Sequence, residues 1–325
     1  MKRNITLDYL KIIMSLLVVI IHSPIFWESS RLFSHMIVNG ICRIAVPCFF
    51  VLNGLYLKKV LENNIAFRKY IKRLFIFYIV WMLIYAPFYL FHFKDSMPVS
   101  ILMNISSILF GFWHLWYIIA LIGGVILLYF LKQKNISDKQ LFKIALFLFI
   151  IGWLVQKVEL FYPDEEGLIG GLIRSSFPSR NFLFMGFPFV AIGYLISKKG
   201  FMEGLKKSFS KLYILILCFL FLFSEALLHF YVIGRRGFDF YIILIVLCPA
   251  LILFLSNKSK IIEVEDDFIS KLSAAIYFIH PLVLYMMKDI FLKVQNTERY
   301  ILIIFFSVVF GSALIYANKR LKIFF

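Results

Sequence analysis

The sequence predicts an all-α polytopic integral membrane protein, one helical bundle of about ten spans over residues 1–325 with both termini in the cytoplasm. Three observations carry this expectation. Hydrophobic residues make up 62% of the chain and aromatic residues 19%, with a mean hydropathy of +0.89, which excludes an ordinary soluble domain. Ten apolar stretches punctuate the chain, most of them close to the ~20 residues a helix needs to cross hydrocarbon. Lysines and arginines are dense in alternate connections, which is the topological bias of membrane helices.

The first apolar run, 7–26, begins Leu7-Asp8-Tyr9-Leu10-Lys11 and passes His22 and Pro24. It has no small-residue cleavage site, so it reads as a retained span rather than a signal peptide. The second, 39–57, contains Arg43, Pro47, Asn53 and Gly54, and its proline and glycine are expected to loosen it. The third, 74–93, follows the basic cluster Arg68-Lys69-Tyr70-Ile71-Lys72-Arg73. Residues 97–111 are apolar but short and broken by Asn104, Ser106 and Ser107, which predicts an interfacial or re-entrant helix. The fourth span, 114–131, opens on His114-Leu115-Trp116-Tyr117, and the fifth covers 141–158. A long outer loop, 159–181, carries Glu159, Asp164, Glu165 and Glu166 before a glycine- and serine-rich stretch. It could cover an outer cleft, or serve as a solvated connector. The remaining spans are 182–197, 212–232, 239–256, 272–291 and 300–317. With the N-terminus inside, basic residues in inner segments outnumber outer ones by better than two to one.

The formal charge of +17 is spread over these connections, so the partners expected are membrane lipids and not nucleic acid. Cys42, Cys48, Cys218 and Cys248 all fall in apolar runs, where they read as packing rather than disulfides or redox centres. No His-Glu-x-x-His spacing or glycine-rich nucleotide loop occurs, so neither a metal nor a permanently bound cofactor is expected.

Ionisable groups inside an apolar span cost at least ~2.5 kcal/mol each and are functional candidates by default. Lys11 and His22 lie eleven residues apart, which leaves them roughly 20° apart around a helix and about 16 Å apart along it. Asp8 falls within about 40° of His22 on the same face. An imidazole there could act as general base toward a hydroxyl, or simply join two helices. Arg43 needs a carboxylate, a carbonyl or an anionic ligand, unless it snorkels to the interface. The cluster before the third span either anchors it or cradles phosphate. His114 sits between tryptophans of an aromatic belt, and His280 lies within Tyr277-Phe278-Ile279-His280-Pro281. Glu225 and His229, four apart, share a face and are expected to pair. No role is expected for His35 or His92.

These stretches together resemble acyltransferase family 3, integral membrane proteins that acylate cell-surface carbohydrates and related acceptors. The likeness rests on Leu7 to Lys11 followed by His22, on Arg43 through Pro47 and Phe49-Phe50 to Gly54, on His114-Leu115-Trp116-Tyr117, and on Tyr277 to Pro281. Arg180 to Ile196, with Pro188 and Gly193-Tyr194-Leu195, adds a weaker match. Asn53 stands where the family commonly has serine, and its paired arginines before the third span are only approximated by Lys69, Lys72 and Arg73. The resemblance implies a membrane O-acyltransferase of the cytoplasmic membrane, with cytosolic acyl-CoA, usually acetyl-CoA, as donor substrate. The acceptor would be a hydroxyl of an exported envelope glycan or lipid-linked molecule. It implies His22 as base or nucleophile, with His114 near it, Arg43 to stabilise the developing oxyanion or orient the acceptor, and Lys11, Lys69, Lys72 and Arg73 on the donor; Asp8, Asn53, Glu225 and His280 are further candidates from the residues themselves. The competing expectation is a transporter or flippase of a glycan or lipid-linked envelope precursor, which would also need intramembrane charge.

Overall fold

Apolar stretches of this length have no water to satisfy their backbone, so each closes its own hydrogen bonds as a helix. The computed structural model describes residues 2–90, 97–158, 178–198, 203–232, 238–258, 261–263, 267–291 and 294–321. His92 and the acidic and glycine-rich part of the expected outer loop, 159–177, lie outside those residues. Helix α1 (Ile5–His22) starts where the Asn4 side chain accepts from the Leu7 amide at 3.2 Å. Helix α2 (Arg31–Val38) and a 3₁₀ turn at Ile41–Ile44 lead into α3 (Ala45–Leu55). The Asn63 side chain caps α4 (Asn64–Tyr89), and α5 (Met97–Phe110) and α6 (Trp116–Gln133) follow. Helix α7 (Asp138–Lys157) opens on a Ser137–Gln140 capping box. A π-turn at Phe182–Gly186 runs into α8 (Phe187–Ser197), followed by α9 (Leu212–Val232), α10 (Leu244–Lys258), α11 (Phe268–Met286) and α12 (Asn296–Leu321). Strands β1 (Lys2–Asn4) and β2 (Ile261–Glu263) form a short antiparallel pair with Lys2 opposite Glu263.

Every apolar run expected from the sequence falls on one of these helices, and the chain is a polytopic helical membrane protein. Among the described residues, seven helical segments are long and apolar enough to cross a membrane, and Phe182–Ser197 and Leu244–Asn257 are shorter apolar helices. Leu217, Leu220, Phe221 and Leu228 of α9, and Ile301 and Phe305 of α12, are exposed apolar side chains at helical spacing. Such a face suits contact with lipid.

The core centres on α3 and α8, where Phe187 through Ile196 are all buried. The two helices meet at glycine: a Cβ on Gly54 would run into the Val190 carbonyl, and one on Gly193 into the Val51 carbonyl. Gly54 therefore tightens a crossing instead of loosening α3, as small residues do between membrane helices. Pro47 sits in the first turn of α3, where a missing amide costs little. Residues 97–110 form α5, and the chain then turns through Gly111 (φ +91°) and Trp113 (φ +47°) into α6. Helix α11 packs against both α1 and α12. Ser15 Oγ donates to the Ser273 carbonyl at 2.7 Å and lies 2.8 Å from Ser273 Oγ, locking α1 to α11. Lys198, just past α8, donates to both Asp138 carboxylate oxygens at 2.8 and 2.7 Å and so ties α8 to the start of α7. The four cysteines are buried free thiols.

Candidate functional site

At the end of the bundle where α1 and α4 begin, a cavity of about 830 Å³ is lined by Lys11, by Lys69, Lys72 and Arg73 of α4, and by Ser270 and Lys271 of α11. Lysine and arginine from three helices thus face one space. Lys11 is held by Asp8, whose Oδ1 lies 2.9 Å from Nζ, and by Ser270 Oγ at 3.2 Å. The two polar residues that the helical spacing of α1 puts near one another are an ion pair, with Lys11 presented to the cavity. Further in, the wall becomes aromatic and amide: Asn53 Nδ2 donates to the Tyr117 hydroxyl and to the Phe49 carbonyl, each at 2.8 Å. Tyr277 and Phe278 line the same cavity.

Beyond Tyr277 lie three imidazoles from three elements. His22 is the last residue of α1, His114 is in the 3₁₀ turn before α6, and His280 is in α11 one residue before Pro281. The His280 ring centroid is 5.3 Å from that of His22 and 5.6 Å from that of His114. Trp113 packs edge-on against His22 at 4.6 Å, and its left-handed backbone is costly for a bulky side chain. Tyr277 joins the cavity to this cluster. Its ring lies 5.6 Å from His114 and 6.3 Å from His280, and its hydroxyl donates to the His114 carbonyl at 3.0 Å. Pro281 interrupts the ladder of α11, and two side chains use carbonyls of that turn: the Tyr85 hydroxyl donates to Phe278 at 2.7 Å, and His280 Nδ1 bonds Ile276 at 3.1 Å.

The last bond fixes a tautomer. A carbonyl can only accept, so His280 Nδ1 carries the proton and Nε2 keeps its lone pair. That Nε2 is buried and has no hydrogen-bond partner among the described residues, as is true of both ring nitrogens of His114. Buried polar atoms are normally satisfied, so a cluster of open imidazole nitrogens marks a place where another group belongs. Among the described residues no set of three or more His, Cys, Asp or Glu is placed to hold a metal.

Arg43 finds its carboxylate in Asp239, whose Oδ1 accepts from Nη1 at 2.6 Å. Arg180 shares that partner from the other side, with Nε 2.8 Å from Asp239 Oδ2 and Nη2 bonded to the same oxygen. Gln156 Oε1 accepts from the backbone amides of Asp239 and Phe240 at 2.8 and 3.0 Å, which pins the carboxylate in place. The Asp239 carboxylate is thereby held between two guanidiniums. Both arginines lie within electrostatic reach of His22.

His35, for which no role is expected, has a structural partner. His35 is buried, and its Nδ1 accepts from Asn39 Nδ2 at 3.1 Å while Asn39 Oδ1 accepts from Arg43 Nη2. It therefore backs the arginine. Glu225 and His229 share a face of α9 yet take different partners. Glu225 accepts from the Ile242 amide at 3.2 and 3.0 Å, capping the entry to α10, and Lys157 Nζ donates to His229 Nε2 at 2.9 Å. A helix end and a lysine from α7 outcompete the expected pair.

Comparison with known proteins gives one family and a set of distant relatives. A family model described as an acyltransferase domain matches residues 4–317. An amino-acid racemase of Enterococcus faecalis is 25% identical over 98% of this chain and 47% of its own length. A serine/alanine racemase of Enterococcus gallinarum is 25% identical over 95% of this chain and 45% of its own length. The chain spans about half the length of these curated relatives. No solved structure matches it.

Proposed function

The chain belongs to the acyltransferase family whose model matches residues 4–317, and from that premise we propose that it is a multi-pass O-acyltransferase of the cell membrane. In this reading ten spans place both termini in the cytoplasm. Cytosolic acyl-CoA, acetyl-CoA in the simplest case, is the donor, and a hydroxyl of an envelope glycan or lipid-linked molecule is the acceptor. The observation that supports it best is the continuity of the site: a cavity lined by Lys11, Lys69, Lys72 and Arg73 is also lined by Tyr277, whose ring lies against two of three clustered histidines. The cations suit the phosphates of a coenzyme A thioester arriving at that end. The histidines suit proton transfer at the other.

The acceptor hydroxyl gives its proton to a His22 ring nitrogen as its oxygen bonds the thioester carbonyl carbon. The carbonyl π pair moves to oxygen. Collapse re-forms the C=O, breaks the C–S bond and returns the proton to the leaving thiolate. A covalent variant has His22 itself attack the thioester before the alcohol does. The name racemase belongs to proteins about twice this length and is not extended to this chain. His22→Ala is expected to abolish base-labile acetyl ester on envelope glycans while leaving the protein in the membrane. Ester content unchanged on deletion of the chain, with lipid-linked precursor accumulating inside, would establish transport instead.

A further inference from the structure

Resting on that reading, we propose that Arg180 is the cation that stabilises the tetrahedral oxyanion, and that Asp239 is the positioning residue that holds it there. Arg180 shares Asp239 with Arg43 and lies over the ring of Trp116, two residues past His114. It is also within electrostatic reach of His22 and of Tyr277, which lines the donor cavity. The side chain of Arg180 is 28% exposed against 10% for Arg43, so of the two guanidiniums Arg180 is the one open to a substrate. Arg43 is committed inward, to Asp239 and to Asn39.

Charge points the same way. Among the described residues two guanidiniums share one carboxylate, which leaves a surplus of one positive charge in a part-buried network. A network that served only to join helices would be expected to be neutral, because an uncompensated buried charge is costly. Among the described residues no second carboxylate supplies a counter-charge to either arginine. An oxyanion that forms beside His22 during acyl transfer does. The group is also preorganised: Asn181, the next residue, caps the π-turn through its bonds to the Leu183 and Phe184 amides, and the Arg180 guanidinium lies over the Trp116 ring at 5.3 Å. Gln156 fixes the Asp239 backbone, so the carboxylate orients both arginines before substrate arrives.

The test uses the full chain in lipid nanodiscs, acetyl-CoA as donor, membranes of a strain lacking the chain as acceptor, and release of free thiol as readout. Arg180→Gln is expected to lower kcat by about 10²–10³-fold, the usual cost of losing one oxyanion donor, with KM for acetyl-CoA changed less than about threefold. Asp239→Asn should fall in the same direction, and Asp239→Glu should recover part of the loss, which a merely structural carboxylate would not reproduce in kcat alone. If Arg180→Gln does not fold, Arg180→Lys replaces it; it keeps the charge without the fork and should lose about tenfold in kcat. Wild-type turnover in the variant that folds, or a loss confined to KM, overturns the proposal. An inactive wild-type chain would sink the acyltransfer reading itself, so the two failures are distinct.

Discussion

A single backbone carbonyl decides what His280 can do. Its bond to Ile276 leaves Nε2 without a partner among the described residues, on a ring that clusters with His22 and His114. His280→Asn keeps a side-chain donor for that carbonyl but removes the basic nitrogen. Turnover is expected to fall about 10²-fold or more with acetyl-CoA affinity retained, as read by thiol release and by equilibrium binding of coenzyme A. Lys11, His22 and Asp8 were legible in the sequence because one helix sets their relation and its period is known. Asp239 was not, because its partners stand 196 and 59 positions away along the chain. The one available signal was an acid alone among aromatics, Phe238-Asp239-Phe240-Tyr241, at the start of the apolar run 239–256, while Arg43 in the run 39–57 lacked a carboxylate.

Helices were more legible than their contacts. Length and hydropathy located the spans, because hydrocarbon forces the backbone to satisfy itself. The reason for Gly54 was hidden, because it lies in a different helix. At Gly193 an added methyl would meet the Val51 carbonyl, backbone that cannot swing aside. Gly193→Ala is therefore expected to destabilise the fold by about 1–3 kcal/mol, the usual cost of overpacking. Thermal unfolding of detergent-extracted protein, followed by loss of the monodisperse peak, measures it, and an unchanged midpoint would mean that α3 and α8 have room to part. Glu225 and His229 teach the same lesson in reverse. Their shared face was correct, yet the unbonded amide ahead of α10 and the Lys157 ammonium were the stronger claimants.

Across the whole molecule, the basic residues of α4 and α11 meet Lys11 at one end, while the arginine pair and the imidazoles gather toward the other. The sequence suggested this division by its charge pattern, but the lining role of Lys271 and the joining role of Tyr277 depend on how α11 lies between α1 and α12, which only packing reveals. Lys11 and His22 stand on one unbroken rod, α1, which Ser15 fastens to its neighbour. Its rise of 1.5 Å per residue fixes their axial spacing at about 16 Å. A pantetheine arm is of comparable length, so under the proposed acyltransfer reading the rod would serve as a gauge that admits donors by reach as well as by charge. Acetyl-S-N-acetylcysteamine, which carries the same acetyl thioester on a stub without phosphates, should then be at least about tenfold poorer in kcat as well as in KM, because the far grip that seats the carbonyl is missing. Equal turnover of the two donors at saturation would mean that the rod measures nothing.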